Sequence, residues 1–387
     1  MSWLRLHGSA DVILGCHATG PLISKSQKIG IAFEEIPLFP STPLSFFRSW
    51  RALSSLLAKA IAHDDNLENV WVFEGREHTL AALHRIFHRD LWRNVKLIRV
   101  RGQANTTRNT RINQWLYARG TDAVIFVADV VRQRSPFELP QNHSITFPYC
   151  ADFSTGVRPW EKRKSESENS KPGQNYHWVH SAPDVDFNST LLLVVGRYDP
   201  IKGHKELINA FSDMDNLGKI VQLVFIGCSE NIMAAELVAH AWEKLGGEKI
   251  STPKRSFVSS RCGQKRLYIC DERFSDVSLF MVRAHWGVIP SLGSEVICRV
   301  AVEFLQNGTP CIATDVGALR EVLEGGPSRI VPLHNHLKWI QALESASALA
   351  SDPAFFALLR PQCKRFGMER YSWERYSELM AWLKQKR

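Results

Sequence analysis

Residues 290–321 read PSLGSEVICRVAVEFLQNGTPCIATDVGALRE and join a strand ending at Pro290, a loop of small residues, a helix and a second strand over residues 310–314. A helix held between two short apolar strands is the repeating unit of a parallel sheet buried on both faces. The same stretch carries two acids, Glu295 at the expected helix start and Glu303 eight positions later. On one helix that spacing spans about 12 Å. A helix start offers free backbone N–H groups and the positive end of its dipole to a phosphate. Carboxylates accept hydrogen bonds from vicinal hydroxyls. The pattern therefore suits a ligand with a sugar at one end, a ribose at the other and a diphosphate over the helix start.

The alternation extends along the chain. Short apolar runs at residues 29–33, 70–73, 95–100, 123–127 and 144–147 are separated by helical segments, including 77–88 and 108–117. A second series begins at Thr190 with LLLVVGRYDPIKGHKELINAF and continues through strands at 220–226, 267–270, 286–290, 310–314 and 329–331. Between the two series lies EKRKSESENSKPGQN, too polar to build a core. A chain of 387 residues is too long for one ordinary core. The expected division is a first domain over 1–159, a linker over 160–188, a second domain over 189–370 and a terminal helix over 371–387. The basic, Ser-rich segment 251–265 is expected to be a surface loop, and helices are expected near 336–349, 353–366 and 373–386.

In the second domain, the strand before Gly196 delivers Arg197, and Lys202 follows just ahead of a helix. Two fixed cations at the end of a parallel strand lower the cost of charge building up on a departing phosphate.

These segments resemble the retaining glycosyltransferases of family 4. The resemblance rests on Glu295-x7-Glu303, on the following NGTPCIATDVGALREVL and on Arg197 with Lys202. It implies an α/β chain of GT-B type, with two Rossmann-like, doubly wound parallel-sheet domains facing a central cleft. It also implies that Arg197 and Lys202 grip a diphosphate, Glu303 receives the ribose and Glu295 the donor sugar. Gly196, Ile297, Cys298 and Arg299 would complete the nucleotide-sugar site, with Glu295, Arg197 and Lys202 as the catalytic set. Family members usually carry Phe-Gly where this chain has Ile297-Cys298. The segment ERYSWERYSEL would cross back onto the first domain. No metal and no cofactor are implied; the nucleotide sugar is a substrate.

The acceptor side would come from the first domain. Its loop RGQANTTRN presents Arg101, Gly102 and Asn105, and Arg101 stands about where many family members place a histidine. Residues 1–8 read as the last turns of a helix, so the family's first strand and glycine-rich loop are not found ahead of them. On that ground a catalytically impaired nucleotide-sugar-binding protein stays open as a rival; a second rival on the same architecture is a nucleotide-sugar 2-epimerase, for which no convincing acid and base set is visible.

Charge bears on the acceptor. The chain carries a formal +9; residues 1–150 hold 18 Lys and Arg against 12 Asp and Glu, and the longer remainder 30 against 27. The segment 44–62 places Phe46, Phe47, Trp50, Leu53 and Leu57 largely on one side, either to pack on a sheet or to lie on a membrane. A saccharide or lipid-linked acceptor at an anionic membrane surface is the expectation, with a cytoplasmic location, on the inner face of the membrane, and a role in polysaccharide or lipopolysaccharide synthesis. Nothing interleaves basic and aromatic residues in the manner of a nucleic-acid surface. Asp213-x-Asp215 and Asp184-x-Asp186 imitate a metal motif of another architecture, in the wrong context. The 8 scattered cysteines read as reduced thiols, and no GxSxG elbow supports a serine triad.

Overall fold

The computed structural model describes residues 13–16, 32–35, 42–63, 67–103, 107–136, 139, 141–150, 185–186, 188–215, 218–274, 277–293 and 295–385. Residues 1–8, Asn105, Asp184 and nearly all of the linker lie outside the described residues. The chain divides into two compact units: Met1–Pro148 with Trp373–Arg387, and Tyr149–Ser372.

In unit 1, β1 (Ile13–Cys16) pairs in parallel with β2 (Ala32–Glu35). After α1 (Pro43–His63) come β3 (Asn69–Val72), α2 (Gly75–Phe87), β4 (Lys96–Arg101), α3 (Arg111–Arg119), β5 (Ala123–Phe126), α4 (Asp129–Gln133) and β6 (Ser144–Thr146). Strands β3 to β6 form a parallel sheet in sequence order. All four residues of β5 are buried, as a central parallel strand covered on both faces requires. The apolar side of α1 serves this core: Leu53 and Leu57 are buried with Leu80, Leu97 and Leu116, and Phe46 and Trp50 pack against them. Leu44 and Phe47 stay outside, at 66% and 68% exposure.

Unit 2 runs β7 (Thr190–Val195), α5 (His204–Asp213), β8 (Val221–Gly227), α6 (Ala234–Leu245), β9 (Gly246–Ser251), β10 (Arg255–Ser260), β11 (Lys265–Asp271), α7 (Ser278–Arg283), β12 (Trp286–Ile289), α8 (Arg299–Gln306), β13 (Cys311–Thr314), α9 (Leu319–Leu323), β14 (Arg329–Val331), α10 (His336–Leu349) and α11 (Pro353–Tyr371). Its sheet has the order β14-β13-β12-β7-β8-β11-β10-β9. The six strands from β14 to β11 are parallel, and β10 and β9 are added antiparallel. That addition corrects the expectation of a surface loop over 251–265. The serines flank Phe257 and Val258, both buried, and the Ser251 and Ser256 hydroxyls pair across the hairpin at 2.8 Å. Composition alone hid a strand whose serines find partners within the sheet and its turns.

The last helix, α12 (Tyr376–Lys384), belongs to unit 1. Lys96 Nζ donates to the Leu383 carbonyl at 2.7 Å, and the Phe147 ring lies 5.4 Å from that of Tyr376. Among the described residues no helix is long and apolar enough to cross a membrane.

Candidate functional site

The parallel part of the unit 2 sheet has its topological switch between β7 and β12, because the chain leaves β7 toward β8 on one side and β12 toward β13 on the other. Ligands of such sheets bind in the crevice outside the carboxyl ends of the strands at that point. The sequence delivers the predicted residues there. After β7, the Gly196 N–H donates to the Ile226 carbonyl at 3.0 Å and the Tyr198 N–H to the Cys228 carbonyl at 2.8 Å, so the turn stays pinned to β8 and the residue that follows it. Asp199 then caps a single 3-10 turn, Pro200–Lys202, accepting from the Ile201 N–H at 3.0 Å and from Asn231 Nδ2 at 2.6 Å. These donors, the Ile201 N–H foremost, hold its carboxyl below the usual range.

Gly203 reverses the chain with φ of 68°, and a Cβ there would stand 2.0 Å from the Pro290 carbonyl oxygen. Only glycine permits this approach. With the Leu292 N–H donating to the Ile201 carbonyl at 2.7 Å, the loops after β7 and β12 are pressed together. Lys202 Nζ meets Oε1 of Glu295, which also accepts from Ser291 Oγ at 2.6 Å. The loop after β13 holds Glu295 from behind: the Ala318 N–H donates to its carbonyl at 2.7 Å, and Gly317, at φ 58°, would place a Cβ 1.9 Å from that oxygen.

Glu295 and Glu303 are therefore not on one helix, contrary to the sequence expectation. Helix α8 starts at Arg299, and Cys298 at its N-cap has φ of 51°, a left-handed conformation that interrupts any helix from Glu295 onward. Glu303 does lie on α8, buried at 8% exposure, where it accepts from Arg299 Nε at 2.6 Å. Ile297 is exposed, whereas the Cys298 thiol is buried, and burial followed by the Glu295 charge pushes its pKa up. It stays a protonated thiol and is no nucleophile.

Arg197 is half exposed, with Nη1 2.9 Å from Glu230 Oε1 and Nη2 3.8 Å from Asp199 Oδ2. His204 lies edge-on to Tyr198 and Phe225; burial and then the Lys202 charge lower its pKa to about 4, so the ring is neutral. Ser291, Glu230 and Asn231 were not singled out in the sequence. The rule that parallel sheets bind ligands at their carboxyl ends would have pointed to 228–231 and to Ser291.

On the acceptor side Arg101 is the last residue of β4, and not a loop residue. Its side chain is buried at 5% exposure against Thr107 and Tyr117, because alternation along β4 turns it inward. Gly102 follows it, half-buried. A serine beside a histidine does exist in unit 1, with Ser54 Oγ 2.6 Å from His84 Nε2. Its polarity is wrong for a nucleophile. The Trp92 indole N–H donates to His84 Nδ1 at 2.9 Å, so Nε2 carries the proton and donates to Ser54, which donates to the Trp50 carbonyl at 3.1 Å. Among the described residues no group of three or more His, Cys, Asp or Glu could hold a metal ion.

Residues 181–348 match the family model for glycosyl transferases group 1. The matched stretch takes in Arg197, Lys202, Glu295 and Glu303 together. No curated protein matches the chain. Among solved structures, the chain is similar to a glycosyltransferase from Rickettsia africae ESF-5, at 13% identity and TM-score 0.71, over 98% of this chain and 91% of that one. It is similar to Anabaena Alr3699/HepE in complex with UDP and glucose, at 14% identity and TM-score 0.63, over 98% and 93%. It is also similar to a sucrose-phosphate synthase from Thermosynechococcus elongatus, at 15% identity and TM-score 0.62, over 100% and 91%. The fold is GT-B, and the matched residues 181–348 fall within the second unit.

Proposed function

We propose that this chain transfers a sugar from a nucleotide sugar to an acceptor hydroxyl with retention at the anomeric carbon. The observation that carries the reading is the contact of Lys202 with Glu295 at the carboxyl ends of β7 and β12, inside the group 1 domain. The relative from Anabaena, whose structures hold UDP with glucose or UDP-glucose, supports a nucleotide-sugar donor.

In this reading the diphosphate takes the Lys202 ammonium away from Glu295 and lies beside Arg197. The freed carboxylate accepts hydrogen bonds from the donor sugar, and Glu303 from the ribose, while Arg299 fixes the orientation of Glu303. The anomeric C–O bond breaks with its electron pair on the phosphate oxygen, where the two cations offset the new charge. The acceptor oxygen attacks from the same face and its proton passes to that departing oxygen. No residue needs to serve as a covalent nucleophile.

The acceptor is proposed to be a saccharide or lipid-linked glycan of the cell surface, met at the cytoplasmic face of an anionic membrane. The net positive charge of the first 150 residues and the exposed Leu44 and Phe47 on α1 support that surface. The test is a panel of radiolabelled nucleotide sugars with membrane glycolipid acceptors. Glu295→Ala and Arg197→Ala should abolish transfer while circular dichroism stays unchanged; wild-type turnover in either variant sinks the assignment. Donor binding without transfer by the wild-type chain would replace it with the reading of a nucleotide-sugar-binding protein.

A further inference from the structure

The cation proposed for the diphosphate at the end of β7 is already engaged. Arg197 Nη1 donates to Glu230 Oε1 at 2.9 Å, and Nη2 stands 3.8 Å from Asp199 Oδ2. One loop, residues 228–231 after β8, supplies or holds both acids. Glu230 lies on it, and its neighbour Asn231 donates from Nδ2 to that same Asp199 oxygen at 2.6 Å.

The loop is fixed at its backbone. The Asn231 and Ile232 N–H groups both donate to the Tyr198 carbonyl at 3.1 Å. The Ser229 N–H and hydroxyl reach the two carboxylate oxygens of Asp271 at 2.6 and 2.7 Å, and the Ala234 N–H donates to Ser229 Oγ at 2.9 Å. Ser229 and Asn231 thus serve the framework, while Glu230 is exposed and points its charge at Arg197.

A carboxylate set beside a proposed anion site needs a reason. An exposed ion pair contributes little to stability, and an acid within reach of a diphosphate repels it. What the contact does supply is placement: it keeps a long, flexible guanidinium at the carboxyl end of β7, where the charge of a departing phosphate would build up. Lys202 is met by Glu295 in the same manner, but Glu295 is proposed to receive the sugar, whereas Glu230 is assigned no part of the donor. Glu230 also has a second cation at hand. Arg273, exposed just beyond β11, pairs with Cys228 and lies within the field of Glu230.

We infer that Glu230 is a positioning residue of the donor site, which holds Arg197 in place and exchanges it with the diphosphate. Entry of the donor replaces one carboxylate on the guanidinium by one phosphate, and the same acid displaces the nucleoside diphosphate when it leaves. The consequence is a weaker hold on the product than an unopposed arginine would give. The inference rests on the transferase reading in taking its ligand to be a nucleoside diphosphate.

The experiment titrates the full chain calorimetrically with UDP, ADP and GDP at constant ionic strength, as wild type, Glu230→Gln and Glu272→Gln. Glu272 is the control acid: it also stands at the carboxyl end of β11, but it pairs with Lys254 and Arg255 instead of Arg197. Glu230→Gln should bind whichever diphosphate the wild type binds about threefold more tightly, the scale of one exposed ion pair. Glu272→Gln should leave the affinity unchanged. In the transfer assay the gain belongs to the donor KM, with kcat no higher than in the wild type, because the exchange is complete before the transition state. A loosened fold would not tighten binding, and the exposed position of Glu230 tolerates glutamine. Equal or weaker binding by Glu230→Gln, or the same gain in Glu272→Gln, overturns the inference and leaves the transferase reading standing. Binding of none of the three diphosphates by the wild type removes that reading, and the inference with it.

Discussion

The Lys202 ammonium and the Glu295 carboxylate neutralise each other across two loops of unit 2, with Ser291 donating to the same carboxylate oxygen. Under the proposed transfer the lysine meets the diphosphate and the carboxylate the sugar, so the pair must open for the ligand to enter. Glu295→Gln keeps the shape and a partner for Ser291 while releasing the lysine. A nucleoside diphosphate without sugar should bind this variant about fivefold more tightly, a gain of ~1 kcal/mol for a partly exposed pair, while sugar transfer falls by about a hundredfold or more, as when a transition-state contact is lost. Calorimetry with the diphosphate reads the first and product formation the second. Weaker diphosphate binding would show that the lysine is not held in reserve.

Gly317 offers a sharper probe of how Glu295 is positioned. Its φ is 58°, and a Cβ here would stand 1.9 Å from the Glu295 carbonyl oxygen, which leaves no room for a side chain. Gly317→Ala should cost roughly 2–3 kcal/mol in urea unfolding and weaken donor binding as Glu295 moves. Gly196→Ala, where nothing lies within 4 Å, should change stability by no more than about 0.5 kcal/mol. Equal stabilities for the two variants would mean that the loop after β13 does not fix Glu295.

The buried imidazoles give unit 1 a pH dependence. Burial lowers the pKa of His84 from 6.5 to about 4, with His88 adding to the effect, and that of His78 from 6.5 to about 3. Both are neutral in the folded chain, and the unfolded chain binds protons first. Stability is therefore complete above pH 6.5 and declines as the pH falls toward 4 and then 3. Urea midpoints should fall steadily as the pH is lowered from about 7 to about 5. A flat profile over that interval would contradict the neutral, buried assignment.

Ser54 tests the polarity of its contact with His84. Ser54→Ala removes one acceptor from a buried N–H and should destabilise unit 1 by roughly 1–2 kcal/mol, with transfer unchanged once the protein is folded. Loss of catalysis without loss of stability would mean that the hydroxyl takes part in chemistry.

Much of the fold was written in the sequence because parallel strands buried on both faces leave uninterrupted apolar runs, as in Leu191 to Val194 and Ala123 to Phe126. That the residues proposed for the donor site come together was legible for a related reason: Arg197, Lys202 and Glu295 each come after such a run, and the sheet gathers them. The break at Cys298 was not, since a left-handed residue without glycine leaves no compositional trace. The one signal was that the resembled family carries glycine at this position. Arg101 was misplaced because its loop-like neighbours masked the period of two in KLIRVR, which puts both arginines on the core face. The hairpin over β9 and β10 was lost to its serines, of which Ser251 and Ser256 pair across the strands and Ser259 accepts from the Glu248 N–H.

The closing helix α12 gives unit 1 a discontinuous course through the chain. During synthesis the second unit, contiguous from Tyr149 to Ser372, has all the strands of its sheet available before the Lys96 contact with Leu383 and the Phe147 contact with Tyr376 can form. The first unit waits, incomplete, until the stretch from Trp373 onward leaves the ribosome. Chains terminated shortly before residue 373 should hence release a folded second unit beside a first unit that chaperones and proteases still recognise.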